Sequence, residues 1–145
     1  MESNTEYARN LGQVIRAESA FDSVYEFNIE SLSEEMGYIE ILQSLENGTA
    51  IIDNYDVLLA YIATYGQHHY HKLQISFEAL LGSIPENSTL EIIDYGCGQA
   101  LATFIFIEFL RSKNKAVRIN SITLIEPSFH ALNRGKLHLH HLFRS

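Results

Sequence analysis

Up to Leu81 the apolar positions return every three or four residues, the spacing that lines them along one face of an α-helix. Tyr7, Leu11, Val14, Ile15, Phe21 and Tyr25 predict one amphipathic helix, or two with a break near Ala20. Ser31 and Glu34 have the spacing of a capping box, opening a short helix through Leu32, Met36, Ile39 and Leu42 that stops at Asn47-Gly48. A long stripe then runs through Ile51, Ile52, Tyr55, Leu58, Leu59, Ile62 and Tyr65. It resumes at Leu73, Phe77, Leu80 and Leu81, with Gly66 as the point where the helix kinks or ends.

After the turn-rich stretch Ile84-Pro85-Glu86-Asn87-Ser88-Thr89 the pattern changes. Leu90–Tyr95 is a β-prone run that leads into glycines, and Leu101–Leu110 is of helix length and apolar nearly all round, which predicts a helix packed on both sides. Lys113-Asn114-Lys115 is its polar exit. Val117–Ile125 predicts a second buried strand ending at Glu126-Pro127-Ser128, and Ser128 is placed to cap a last helix carrying Ala131, Leu132, Leu139 and Leu142. The expected fold is therefore α/β: an N-terminal helical extension over residues 1–84, then an incomplete Rossmann-like βαβα unit over 85–145 with two parallel strands. Such a pair leaves a strand edge open, so the expected cover is the N-terminal helices, a second copy or a second chain, or strands that a fragment lacks.

Composition adds limits. In 145 residues, 46% hydrophobic and 19% charged is the balance of a folded chain, and the single cysteine, Cys97, excludes an intrachain disulfide and fits a reducing, cytoplasmic setting. The N-terminus shows no basic and apolar leader pattern, and no apolar run approaches ~18 residues, so no membrane span is expected. The net charge of -8 is unevenly spread: residues 1–89 carry 14 acidic and 3 basic side chains, residues 90–145 carry 4 and 7. This disfavours a general nucleic-acid binder without excluding nucleic acid as a partner.

The segment with chemistry is Ile92-Ile93-Asp94-Tyr95-Gly96-Cys97-Gly98-Gln99-Ala100, between an expected strand and an expected helix. Glycines there permit a sharp turn and a close approach to a ligand, and the helix amides offer donors. Glu126, at the carboxyl end of the next strand, is placed to accept from both hydroxyls of a ribose. The array describes a nucleoside-cofactor site. A dinucleotide fingerprint requires a third glycine where Leu101 stands. Asp94-Tyr95-Gly96-Cys97-Gly98-Gln99-Ala100 instead resembles the first motif of class I S-adenosylmethionine-dependent methyltransferases, with Ala100 in place of the last glycine, and Ile125–Ser128 resembles their acidic second motif. The resemblance covers roughly residues 85–140 and names S-adenosylmethionine as cofactor. It implies a loop of Asp94, Tyr95, Gly96, Cys97 and Gly98 around the cofactor, with Glu126 on its ribose. A complete enzyme of that kind has a larger sheet, so the chain is expected to be its N-terminal cofactor-binding part, without a nominated catalytic residue and with the methyl acceptor unidentified. The alternative is a non-catalytic interaction module that dimerises or binds a partner chain.

Other chemistry is less supported. Cys97 has no basic neighbour in sequence to make it a nucleophile, and a small loop residue is expected. His68 with His71, and His138 with His141, stand at i, i+3, without a carboxylate at useful spacing, so polar helix surface is expected rather than a metal site. If the long helix lies over the cofactor loop, Tyr65, Tyr70 and the first histidines line an entrance.

Overall fold

A computed structural model describes residues 4–14, 20–32, 40, 43, 45–46 and 51–144. The described helices are α1 (Asn4–Val14), α2 (Ala20–Glu30), α3 (Tyr55–Leu80), α4 (Leu101–Ser112) and α5 (Phe129–Leu142), and the strands are β1 (Thr89–Tyr95) and β2 (Arg118–Ile125). The chain is mixed α/β. Of the two arrangements open for the first stripe, the structure has two helices, and the short helix expected from Ser31 to Leu42 falls almost wholly outside the described residues.

The long helix α3 begins later than its stripe suggests. Asn54 is extended and its side-chain oxygen accepts the Asp56 amide at 2.8 Å, so the cap stops the helix from reaching back to Ile51 and Ile52. Gly66 does not end it: the helix runs on for 26 residues, ~39 Å. The reason for glycine here is packing. A Cβ at Gly66 would stand 3.1 Å from Cδ2 of Tyr25, so the missing side chain lets α2 lie close against α3.

β1 and β2 pair in parallel, in register from Glu91 opposite Ser121 to Tyr95 opposite Ile125, with Asn120 as the extra residue of a bulge on β2. Ile92, Ile119, Ile122 and Leu124 pack into the core. The expectation of a fully buried second strand is corrected. Burial alternates along both strands, and the outward face leaves Ile93 71%, Tyr95 85% and Ile125 41% exposed. Consecutive isoleucines in β1 hide this alternation in the sequence.

The inward face meets α4, buried nearly all round as its composition requires, through Leu101, Phe104, Ile105, Ile107, Phe109 and Leu110. The same core takes in Tyr7 and Leu11 of α1, Phe21 and Val24 of α2, Leu59 and Ile62 of α3, and Leu139 and Leu142 of α5. Each such side chain contributes about 1.5–3 kcal/mol. The charge break near residue 89 therefore marks a change of pattern while the core runs across it. Among the described residues no helix is long and apolar enough to cross a membrane.

Candidate functional site

The site is built where β1 and β2 end. Beyond Tyr95 the chain turns over three left-handed residues, Gly96 (φ 69°), Gly98 (φ 51°) and Ala100 (φ 58°), before α4 starts at Leu101. Glycine adopts that backbone without penalty, whereas alanine is strained there. Ala100 bears that strain, and its methyl has room because its neighbour is Gly135 of α5. A Cβ on Gly135 would stand 2.9 Å from both the Ala100 Cβ and the Gln99 carbonyl carbon. The methyl that the loop carries is thus accommodated by its absence on the facing helix.

Backbone hydrogen bonds tie the loop to β2. The Gly96 and Cys97 amides both donate to the Ile125 carbonyl, at 2.7 and 3.1 Å. One oxygen of Glu126 accepts the Gly98 amide at 2.8 Å and the other accepts the Ser128 amide at 2.8 Å. A carboxylate has about four acceptor positions, so Glu126 retains capacity for further donors. Ser128 caps α5 as the sequence predicts, accepting the Ala131 amide at 3.0 Å, and its hydroxyl donates to the Ile52 carbonyl. Asp94 accepts the Thr103 hydroxyl at 2.6 Å.

A buried polar chain holds the loop from below. His138 Nδ1 donates to the Gln99 carbonyl at 3.0 Å, because a carbonyl can only accept. Its Nε2 therefore accepts from the Tyr7 hydroxyl at 2.7 Å, and Tyr7 in turn accepts from the Asn28 amide at 2.9 Å. His138 is fully buried, which corrects the expectation of polar surface for it, and burial lowers its pKa to about 3. His140 is exposed and His141 half-buried. His68 and His71 are exposed, as expected of a solvated helix face. Among the described residues no group of three or more His, Cys, Asp or Glu side chains is placed to hold a metal ion.

Above the loop lies α3. The Gln99 side-chain amide donates to the Leu58 carbonyl at 2.8 Å, which fixes the helix over the turn. Two adjoining clefts result. One, about 190 Å³, is lined by Asp94, Gly96, Cys97, Gly98 and Leu101 from below and by Tyr61, His69 and Leu73 from above. The other, about 90 Å³, lies beside Glu126 and Ser128. Tyr61, Gly96, Gly98 and Gln99 line both. The Tyr61 hydroxyl lies 3.3 Å from His69 Nε2, and their rings are stacked 6.0 Å apart. Burial, then the Tyr65 and Glu126 charges, raises the Tyr61 pKa. Burial, then His68 and Lys72, lowers that of His69, so both rings are neutral at pH 7.

Of the expected site residues, Asp94, Gly96, Cys97, Gly98 and Glu126 are brought together around these clefts, while Tyr95 points to solvent and lines neither. Cys97 is a buried thiol whose pKa burial, aided by Asp94 and Glu126, pushes up to about 11. It sits in the loop between Gly96 and Gly98, its thiol held protonated. Of the entrance residues, His69 lines a cleft and Tyr65 packs on Tyr61 at 5.3 Å, but Tyr70 stacks on Phe21 at 4.5 Å elsewhere. Tyr61 itself was missed, although its spacing to Tyr65 and His69, four residues each, places all three on one helix face.

A larger cleft of about 430 Å³ opens between α2, α3 and α4, away from the loop. Two of its charged groups are engaged in structure: Glu108 accepts the Phe21 amide at 3.2 Å and Arg111 donates to the Leu142 carbonyl at 2.9 Å. No family model matches the chain, and neither a curated protein nor a solved structure does.

Proposed function

We propose that this chain is the S-adenosylmethionine-binding portion of a class I methyltransferase, with β1–α4–β2–α5 as a partial Rossmann-like unit. The observation that carries this reading is the joining of loop and acid. Gly98 and Glu126, 28 residues apart, meet at 2.8 Å at the carboxyl ends of adjacent parallel strands, the place where open α/β sheets bind ligands.

The lining of the clefts supports a cofactor without phosphate. Asp94 and Glu126 supply negative charge, and no Lys or Arg is among the described lining residues. A dinucleotide would bring its pyrophosphate against two carboxylates, and Leu101, where the third glycine of that fingerprint would stand, is buried in the core. S-adenosylmethionine brings hydroxyls, an ammonium group and a sulfonium. Glu126 would hold the ribose hydroxyls, and Asp94 with the Gly96–Gly98 turn would lie along the methionine part. When bound, the cofactor supplies an electrophilic methyl group, and the protein's contribution is orientation of cofactor and acceptor.

Calorimetry with S-adenosylhomocysteine tests the reading. Binding is expected, weakened at least ~10-fold by Glu126→Ala, which removes acceptors for two hydroxyls. Absence of heat at high protein concentration refutes it. The uncovered sheet face at Ile93, Tyr95 and Ile125 favours a second reading, an interaction module that binds a partner chain or a second copy there. A stable dimer without cofactor affinity, disrupted by Ile93→Lys, would support that reading instead.

A further inference from the structure

We infer that the cleft recognises its ligand as a cation, with the Tyr61 ring as the wall against which the positive centre rests. The inference rests on the cofactor reading above and adds a residue of α3 that the loop motif does not contain.

Two observations converge. First, Tyr61 of α3 lines both clefts, so a ligand that reaches from Glu126 to Asp94 passes it. Second, the charged side chains among the described lining residues are the carboxylates Asp94 and Glu126.

The aromatic wall is pre-set. Tyr61 is stacked with His69, tilted against Tyr65 at 5.3 Å, and tethered through its hydroxyl to His69 Nε2, so its ring loses little freedom when a ligand arrives. His69 stays neutral and adds no opposing charge. A cation against the face of a tyrosine is attracted by the ring quadrupole, and the effect grows when water is excluded. Both S-adenosylmethionine and S-adenosylhomocysteine fit the carboxylates, but only the sulfonium gains this attraction to the ring. The site is thus expected to distinguish S-adenosylmethionine from S-adenosylhomocysteine through Tyr61.

The test is titration calorimetry of the full chain with each ligand separately. Tyr61→Leu should weaken S-adenosylmethionine by ~2- to 30-fold more than S-adenosylhomocysteine, whereas Tyr61→Phe, which keeps the ring, should leave the ratio of the two affinities within ~2-fold of wild type. His69 is half-exposed, so His69→Lys perturbs no core, and the cation it introduces should shift the ratio in the same direction as Tyr61→Leu. Equal weakening of both ligands in Tyr61→Leu, or an unchanged ratio in His69→Lys, overturns the inference while leaving the cofactor reading intact. Wild-type protein that binds neither ligand overturns both.

Discussion

Gly135→Ala separates two physical effects that oppose each other. On helix propensity alone the change is favourable by about 1 kcal/mol, since glycine is a poor interior residue. The new Cβ, however, would stand 2.9 Å from the Ala100 Cβ and the Gln99 carbonyl carbon and 3.0 Å from the Ala100 nitrogen. Comfortable carbon contacts lie at ~3.5–4 Å, so the methyl intrudes by roughly half an ångström or more on atoms that no side-chain rotation can move. Overpacking of this kind costs about 1–3 kcal/mol, and the rigid neighbours argue for the upper half of that range. The net expectation is a loss of about 1–2 kcal/mol, which for a chain of this length lowers Tm by about 3–7 °C. Circular-dichroism melts measure it. Gly82→Ala is the control: nothing lies within 4 Å of its Cβ, and its Tm should be within about 2 °C of wild type. Adding Ala100→Gly to Gly135→Ala should restore part of the loss, a coupling of about 0.5–3 kcal/mol. A Gly135→Ala protein as stable as wild type, or more so, would mean that α5 does not rest on the loop as described.

Other expectations follow from the same network. His138 has its folded pKa depressed to about 3 from 6.5, so the unfolded chain takes up a proton that the folded one refuses, and stability falls as pH drops from about 6.5 towards 3. The slope attributable to it approaches ~1.4 kcal/mol per pH unit, and denaturant unfolding of His138→Gln across that range should be flatter by about one proton; an unchanged slope would place the titration elsewhere. Tyr7→Phe removes the hydroxyl between Asn28 and His138 and should destabilise by about 1–3 kcal/mol in urea melts; a neutral result would deny the chain of bonds. Cys97 should react with a thiol reagent at pH 8 many times more slowly in the native protein than in denaturant, and equal rates would contradict its burial and raised pKa.

The second part of the chain was legible because its punctuation is local. Gly96 and Gly98 take the left-handed backbone their type suggests, Ser128 caps the helix it precedes, and Lys113-Asn114 ends α4. What the sequence concealed depends on partners far away. His138 looks like one more polar residue until Tyr7, 131 positions earlier, is brought to its ring. Gly66 looks like a helix breaker until the Tyr25 ring packs where a side chain would stand. Ile92-Ile93 looks buried on both sides because a short apolar run carries no record of which face is covered.

The loop's shape is therefore not a property of its own residues. Gly135 leaves the room in which the Ala100 methyl and the Gln99 carbonyl lie, and the Gln99 backbone and side chain are held by His138 of α5 and Leu58 of α3. Through Tyr7 and Asn28 the hydrogen bonds continue into α1 and α2, so the acidic helical part and the glycine turn share one buried polar chain. Whatever binds at Glu126 and the turn meets a surface whose rigidity is set by residues of all five described helices except α4, which supplies the apolar floor instead. Ligand affinity should accordingly fall with Tyr7→Phe, although Tyr7 lines neither cleft. The physical reason is that a looser Gln99 carbonyl frees the turn to sample conformations in which Gly98 and Glu126 part.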